Sequence, residues 1–258
     1  MKVYTETKDK ILTVVINRPE VKNAVDRETA YELSRAFREF DANDDLYVAI
    51  LCGEGDTFCA GADLKAVADG SGERANSLEP DMSKDGPMGP TRMMLTKPVI
   101  AAISGYAVAG GLELALWCDL RVADEDAILG VFCRRFGVPL VDGGTQRLPR
   151  LIGMSRALDM ILTGRPVTAK EAYDMGLVNR VVPNGMARQE AESIASQISR
   201  FPQRCLRSDR YALYRGFDLD FNKAMELEFS YGLEVISSGE TISGAKQFTG
   251  GTGRHGKF

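Results

Sequence analysis

A chain of 258 residues, 44% hydrophobic and 26% charged, has an ordinary globular composition and enough length to bury a substantial core. Its formal net charge of −4 excludes a global basic field of the kind that holds nucleic acid, and no apolar run reaches membrane-spanning length. A single histidine, His255, excludes a Ser-His-Asp triad and a multi-histidine metal site, so chemistry must rest on carboxylates and backbone groups.

The N-terminal residues carry no apolar leader pattern. Five cysteines (Cys52, Cys59, Cys118, Cys133, Cys205) with no C-x-x-C pair read as free thiols in a reducing compartment, which points to the cytoplasm. Val3–Thr7 and Ile11–Ile16 alternate as a pair of strands with a turn at Asp9. Asp26 is placed to cap a helix running to about Phe40, with Leu33, Ala36, Phe37 and Phe40 on one face. Val48–Cys52 is a short apolar strand leading into Gly53-Glu-Gly-Asp-Thr-Phe-Cys-Ala-Gly-Ala-Asp63. Phe58 stands where a dinucleotide fingerprint needs its third glycine, so that motif is set aside. The stretch reads instead either as small residues bringing N–H groups beside a ligand, with Asp63 in the first turn of the next helix, or as a plain strand-to-helix connection.

Asp69 to Pro90 is polar and rich in Gly, Ser, Asp and Pro, the longest candidate for a mobile loop, and Met88–Leu95 is expected as a short helix. Val99–Ser104 is a buried strand, and Leu120–Ala123, Ala127–Leu129 and Leu177–Val182 are read as further strands. Residues 132–144 are irregular. Thr145 is expected to cap a helix to Leu151, Ser155–Leu162 forms another, and Thr168 caps Ala169–Met175, closed by Gly176. From Ala187 onward only helices are expected, at about Ala187–Arg200, Pro202–Tyr214, Phe221–Ile236 and Glu240–Phe248, followed by a mobile Gly-rich tail. The pattern is an α/β core with a helical appendage, divided at 1–186 and 187–258.

The chain is organised around Gly105-Tyr-Ala-Val-Ala-Gly-Gly-Leu-Glu-Leu-Ala-Leu-Trp-Cys-Asp119. After its small residues the run is apolar on every side, the mark of a buried helix, yet it contains Glu113. The leading helical N–H groups have no internal partners, and glycines allow close approach. Two readings are open on this window: an N–H donor aimed at a developing oxyanion with a proton carrier one turn away, or a core Glu tied to a Lys or Arg.

Phe58-Cys-Ala-Gly-Ala-Asp-Leu64, Gly105–Leu114, and Gly143-Gly-Thr-Gln-Arg-Leu148 followed by Leu162-Thr-Gly-Arg, Ala172 and Gly176-Leu-Val-Asn, together with Asn17-Arg-Pro19 and Asn23-Ala24, resemble in order and spacing the enoyl-CoA hydratase/isomerase (crotonase) superfamily. The similarity covers about Val3 to Phe248. It implies a spiral of β-β-α turns with a C-terminal helical trimerisation region, a homotrimer or dimer of trimers, an acyl-CoA thioester substrate, and no metal or redox cofactor, coenzyme A being part of the substrate. It implies that the amides of Ala62 and Gly110 polarise the thioester carbonyl and that Glu113 moves protons. Lys22, Ala24, Ala60, Gly61, Asp63 and Leu64 would line the CoA arm, with Lys22 and Lys65 as phosphate partners. Tyr106, Cys133, Leu140 and Asp142 complete the implied substrate-facing set.

The departure is at Cys133, which occupies the place of the second catalytic glutamate of the family's hydratases. A thiol with a pKa near 8.5 is a poor substitute for a carboxylate. Arg134 and Arg135 are either activators of that thiol or structural charges, and Asp142 is either a catalytic aspartate or a turn residue before Gly143-Gly144. The expectation is a hydratase-like lyase with one Glu. The alternatives are an enoyl-CoA isomerase or decarboxylase, or a catalytically impaired acyl-CoA-binding protein.

Overall fold

In the computed structural model, which describes residues 1–70 and 72–253, the chain opens with an antiparallel hairpin. β1 (Val3–Lys8) pairs with β2 (Ile11–Ile16) in the register Val3↔Ile16 to Lys8↔Ile11. Asp9 makes the turn at φ 53°, a left-handed conformation that a short polar side chain tolerates. α1 (Arg27–Ala42) follows, its N-terminus capped by the Asp26 carboxylate, which accepts from Thr29 N. Leu33, Phe37 and Phe40 are fully buried on its inner face.

From here the chain repeats one move. β3 (Val48–Gly53) joins β2 in parallel, the next backbone segment pairs through Cys59 with a second layer at Ala107, and α2 (Leu64–Ala68) returns. β4 (Val99–Ile103), β5 (Tyr106–Val108) and α3 (Gly110–Trp117) do the same, then β6 (Leu120–Asp124) and β7 (Ile128–Gly130), leading into the 3-10 turn Phe132–Phe136 and to α4 (Gly144–Ile152) and α5 (Met154–Thr163). β8 (Val167–Thr168), α6 (Ala169–Asp174) and β9 (Arg180–Val182) complete the strands. The result is a six-stranded sheet in the order β1-β2-β3-β4-β6-β9 and a three-stranded sheet β5-β7-β8. In the larger sheet every pair after the hairpin is parallel. Parallel strands need helical crossovers that cover the sheet, which is why β2 and β4 are buried along their whole length.

Two compact units are formed, Met1–Ser196 and Gln197–Phe258. α7 (Ala187–Ser199) ends the first and runs into the second, which contains α8 (Gln203–Gly216), α9 (Phe221–Ser237) and α10 (Glu240–Thr249). His255 and the tail beyond Gly253 lie outside the described residues. Among the described residues no helix is long and apolar enough to cross a membrane.

Three expectations are corrected. Met88–Leu95 is not a helix: Gly86 and Gly89 exchange backbone hydrogen bonds of 2.9 Å in a tight turn, and only the 3-10 turn Pro90–Arg92 follows. Leu177–Val182 is a strand only over Arg180–Val182, because the N–H groups of Leu177 and Val178 both donate to Ala172 O at the end of α6. Thr145 does not cap α4; the cap is Gly143, at φ 94°, and Thr145 lies inside the first turn. The short strands β5 and β8 carry too few residues for alternation to show.

Candidate active site

Two loops of small residues run side by side. Phe58 N donates to Ser104 O (2.7 Å), Cys59 N to Tyr106 O (2.9 Å) and Val108 N to Cys59 O (3.1 Å). The fit depends on missing side chains: a Cβ on Gly111 would lie 2.0 Å from Cys59 O, and one on Gly61 would lie 2.9 Å from the Gly110 nitrogen. Gly61 and the Gly110 amide are therefore neighbours. Gly110 opens α3, so its N–H has no intrahelical acceptor. The preceding Ala109 is held at φ 54°, a strained position for a residue with a Cβ.

Ala62 is oriented by its flanks. Val25 N donates to Gly61 O at 2.8 Å and Asp63 N donates to Val25 O at 2.9 Å, a parallel bridge that turns the N–H of the intervening Ala62 away from Val25. Among the described residues neither the Ala62 nor the Gly110 N–H donates to a protein acceptor. Two unspent donors thus sit on adjoining stretches of backbone.

Glu113, one turn into α3, is 2% exposed. Its Oε1 accepts from Gly144 N at 2.8 Å and from Asp142 N at 2.9 Å, at the entry to α4. A Cβ on Gly144 would come within 3.0 Å of the Glu113 Cγ and Oε1, so the glycine lets the carboxylate reach that backbone. No ion pair to Glu113 occurs among the described residues, which sets aside the core-Glu reading. Burial pushes its carboxyl up to about 7; the N–H groups of Gly144, Asp142 and Val141 oppose the rise and the Asp142 carboxylate adds to it. A carboxyl poised near neutrality can both accept and return a proton at physiological pH.

Residues 6–250 match the model of the Enoyl-CoA hydratase/isomerase family. The chain belongs to this family. It is 35% identical over 251 residues to an enoyl-CoA hydratase of Mycobacterium tuberculosis, covering 94% of this chain and 91% of that one. It is 34% identical over 231 residues to the short-chain-enoyl-CoA hydratase of Clostridium acetobutylicum, covering 88% and 86%. The crystal structure of an enoyl-CoA hydratase from Mycobacterium tuberculosis superposes with a TM-score of 0.89 at 34% identity, over 96% of this chain and 95% of that one. The mixed α/β fold with its helical C-terminal region is the crotonase fold.

Against this family frame, the other expected residues divide. Cys133, in the 3-10 turn, is 7% exposed, and burial followed by the Glu113 charge pushes its thiol up. Arg134 opposes that rise, but its Nε donates to Ile161 O, and Arg135 stacks over Phe132 while donating to Gly164 O. Leu140 packs beside Gly144, and Asp142 is buried directly beside Glu113. Gly61 adjoins the Gly110 amide, Ala24 is buried, Ala60 is half-buried, and Leu64 and Tyr106 are exposed. Lys22 is held at the surface by Asp56 at 3.2 Å. Asp63 Oδ1 caps α2 through Lys65 N and Ala66 N, and its Oδ2 meets Arg18 at 2.9 Å and Arg74 at 3.4 Å, so its carboxylate is held within the fold. A surface depression of about 390 Å³ bordered by Lys2, Asp26, Arg27 and Arg74 contains none of the family-site residues.

The residues missed from sequence are Met88, Thr91, Gly144 and Arg147. Met88 Sδ would be 2.7 Å from a Cβ on Gly110, so its thioether covers that glycine. Arg147 donates to Asp142 O and to Thr91 O. Gly144 and Arg147 were visible only as parts of a motif, and Met88 and Thr91 carry no local signal.

Proposed function

We propose that this chain is an enoyl-CoA hydratase-like lyase acting on an acyl-CoA thioester. The observation that carries the reading is the placement of Glu113, a buried carboxyl raised to about 7 and anchored on the α4 entry, one turn from the unspent Gly110 amide. The Ala62 and Gly110 N–H groups would donate to the thioester oxygen. One oxyanion donor is typically worth about 2.7–4 kcal/mol in the transition state. Ionised Glu113 takes a proton from water as the water oxygen bonds to Cβ. The enolate then collapses, and the protonated carboxyl returns a proton to Cα, so that the net change is addition of H and OH. The reading calls for no metal or redox cofactor, since amides polarise the carbonyl and Glu113 carries the proton.

A second reaction in the family, double-bond isomerisation, needs enolate stabilisation and one proton carrier, which the amides and Glu113 would supply, although the carboxylate that such isomerases keep at the Cys133 position is absent. Incubation with crotonyl-CoA separates the two: hydration adds water and abolishes the enoyl absorbance, whereas 3-enoyl-CoA conversion in deuterated water relocates the double bond and exchanges hydrogen. Glu113→Gln with unchanged turnover, or no turnover of either substrate in either form, would instead support an acyl-CoA binder.

The reading includes a trimer, or a dimer of trimers. α9 presents Phe221, Met225, Phe229, Leu233 and Ile236 at helical spacing, all exposed in the single chain, a stripe that suits burial against other copies. Sedimentation of the purified protein tests it. The cytoplasm remains the compartment proposed, on the strength of five free thiols.

A further inference from the structure

Asp142 has more to do than end a loop. Its main-chain N–H holds Glu113 Oε1 at 2.9 Å. Its Oδ1 accepts from Met88 N at 2.9 Å and from the Thr91 hydroxyl, and the residue is 4% exposed. Its carbonyl accepts from Arg147 at 2.8 Å, whose other nitrogen reaches Thr91 O at 2.6 Å. Space for the carboxylate exists only because Gly86 has no side chain; a Cβ there would lie 2.7 Å from Oδ1. Met88, fixed in this way, lays its thioether across Gly110. One residue therefore touches the holder of the proton carrier on one side and the cover of the amide donor on the other.

We propose that Asp142 is a positioning residue, tying Glu113 to the Gly110 amide through Met88. The proposal rests on the reading of Glu113 as proton carrier, although its test needs no turnover. The two carboxylates differ in environment. Burial raises Asp142, opposed by the hydroxyl and N–H on its Oδ1 and by Arg92 and Arg147 near it. Glu113 has N–H groups, the Cys133 thiol and the Asp142 charge around it. Two neighbouring carboxyls in unequal surroundings separate into one that stays ionised and one that holds the proton. Asp142, with two donors on its Oδ1 and two guanidiniums near it, is the first of the pair to ionise, and Glu113 titrates after it against the Asp142 charge.

The test is carboxyl titration by carbon-13 resonance in glutamate-labelled protein, the Glu113 signal being the one lost in Glu113→Gln. Wild type is expected to titrate at Glu113 near 7, and Asp142→Asn, which retains an acceptor for Met88 and Thr91, is expected to shift that titration to lower pH. In methyl-labelled protein the Met88 signal, assigned by Met88→Leu, should move over the same pH range in wild type and lose that step in Asp142→Asn. An unmoved Glu113 titration overturns the proposal. Should Asp142→Asn not fold, aspartate-labelled Glu113→Gln gives the reciprocal arm: one aspartate carboxyl shifts to lower pH, and no movement of any overturns it. Coupled titration in a protein without hydratase turnover would retire the functional reading alone. Turnover with uncoupled titration would retire Asp142 alone.

Discussion

Gly144 donates its N–H to Glu113 Oε1 at 2.8 Å, across 31 residues of chain. The bond joins a carboxylate buried in α3 to the first residue of α4, where unpaired N–H groups favour negative charge. Even so, burial outweighs those donors and leaves the carboxyl near 7.

A stability prediction follows from that balance. Glu113 is raised from 4.5 to about 7 on folding, so between these values the native state holds a proton that the unfolded state has released. Stability from this group is fully present below pH 4.5 and is lost as pH rises through 7, by roughly 3 kcal/mol. Glu113→Gln keeps an acceptor for Gly144 and Asp142 but never ionises. Urea unfolding should show the variant more stable than wild type at pH 8 and little different at pH 4.5, with its activity abolished.

On the proposed mechanism the same ionisation also sets the rate. If ionised Glu113 activates water, hydration kcat/KM should rise with pH through about 7 and flatten above it. A profile flat from pH 6 to 8 would mean that Glu113 is not the base in the free enzyme.

Gly61 is the residue that lets the two amide-bearing loops meet. At φ 99° it is in a region closed to most side chains, and an added methyl would lie 2.9 Å from both the Gly110 nitrogen and Ala109 Cβ. Gly61→Ala should lower hydration kcat by on the order of 10²-fold or more, the loss of one oxyanion donor, with a smaller effect on KM. Steady-state kinetics alongside a melting curve separates this from simple unfolding.

How far the sequence disclosed this site depends on how local each signal is. Asp26 as helix cap, Asp9 as turn and the all-apolar run around Glu113 were legible because each depends on a few adjacent residues. The three-stranded sheet was only partly legible, since its strands are three residues or fewer and are defined by partners in other turns of the chain. Met88 was misread into a helix because its N–H goes to Asp142, 54 residues away, a contact with no periodic trace. Asp63 reads in sequence both as a first-turn residue of the next helix and as a ligand-side residue; its cap bonds are local, but its other oxygen meets Arg18, 45 residues before it, and Arg74, contacts with no sequence signal.

Arg18 itself carries a prediction. It is 6% exposed and its guanidinium lies 2.9 Å from Asp63 and 3.5 Å from Asp26, both nearly fully buried. Burial works to raise both aspartates, but for Asp26 the Lys2 and Thr29 donors and Arg18 win, holding it at about 2; for Asp63 Arg18 and the Ala66 N–H win. Depressed carboxyls stabilise the fold above pH 3.8 and lose that contribution as pH falls toward 2. Arg18→Met removes the buried partner of Asp63 and leaves Arg74 at 3.4 Å from Asp63 and Lys2 at 2.7 Å from Asp26, with an expected cost of about 1.5–3 kcal/mol at pH 7. Its acid unfolding midpoint should move to higher pH. Equal urea midpoints for the two proteins would show the network to be neutral.

Cys133 supplies the sharpest test of the reaction. It is buried within reach of the Glu113 charge and its thiol is pushed up, so it does not replace the second carboxylate as a proton carrier. Cys133→Glu places a second carboxylate next to the first, and the like charge should move the Glu113 ionisation to higher pH. If hydration in the wild type is limited by a missing general acid–base group, kcat for crotonyl-CoA should rise by on the order of 10-fold or more. If the chain instead relocates double bonds with one carboxylate, 3-enoyl-CoA turnover should fall in Cys133→Glu while hydration stays at the wild-type level. Measuring both rates on one preparation, with a melting curve to exclude overpacking, distinguishes the two outcomes.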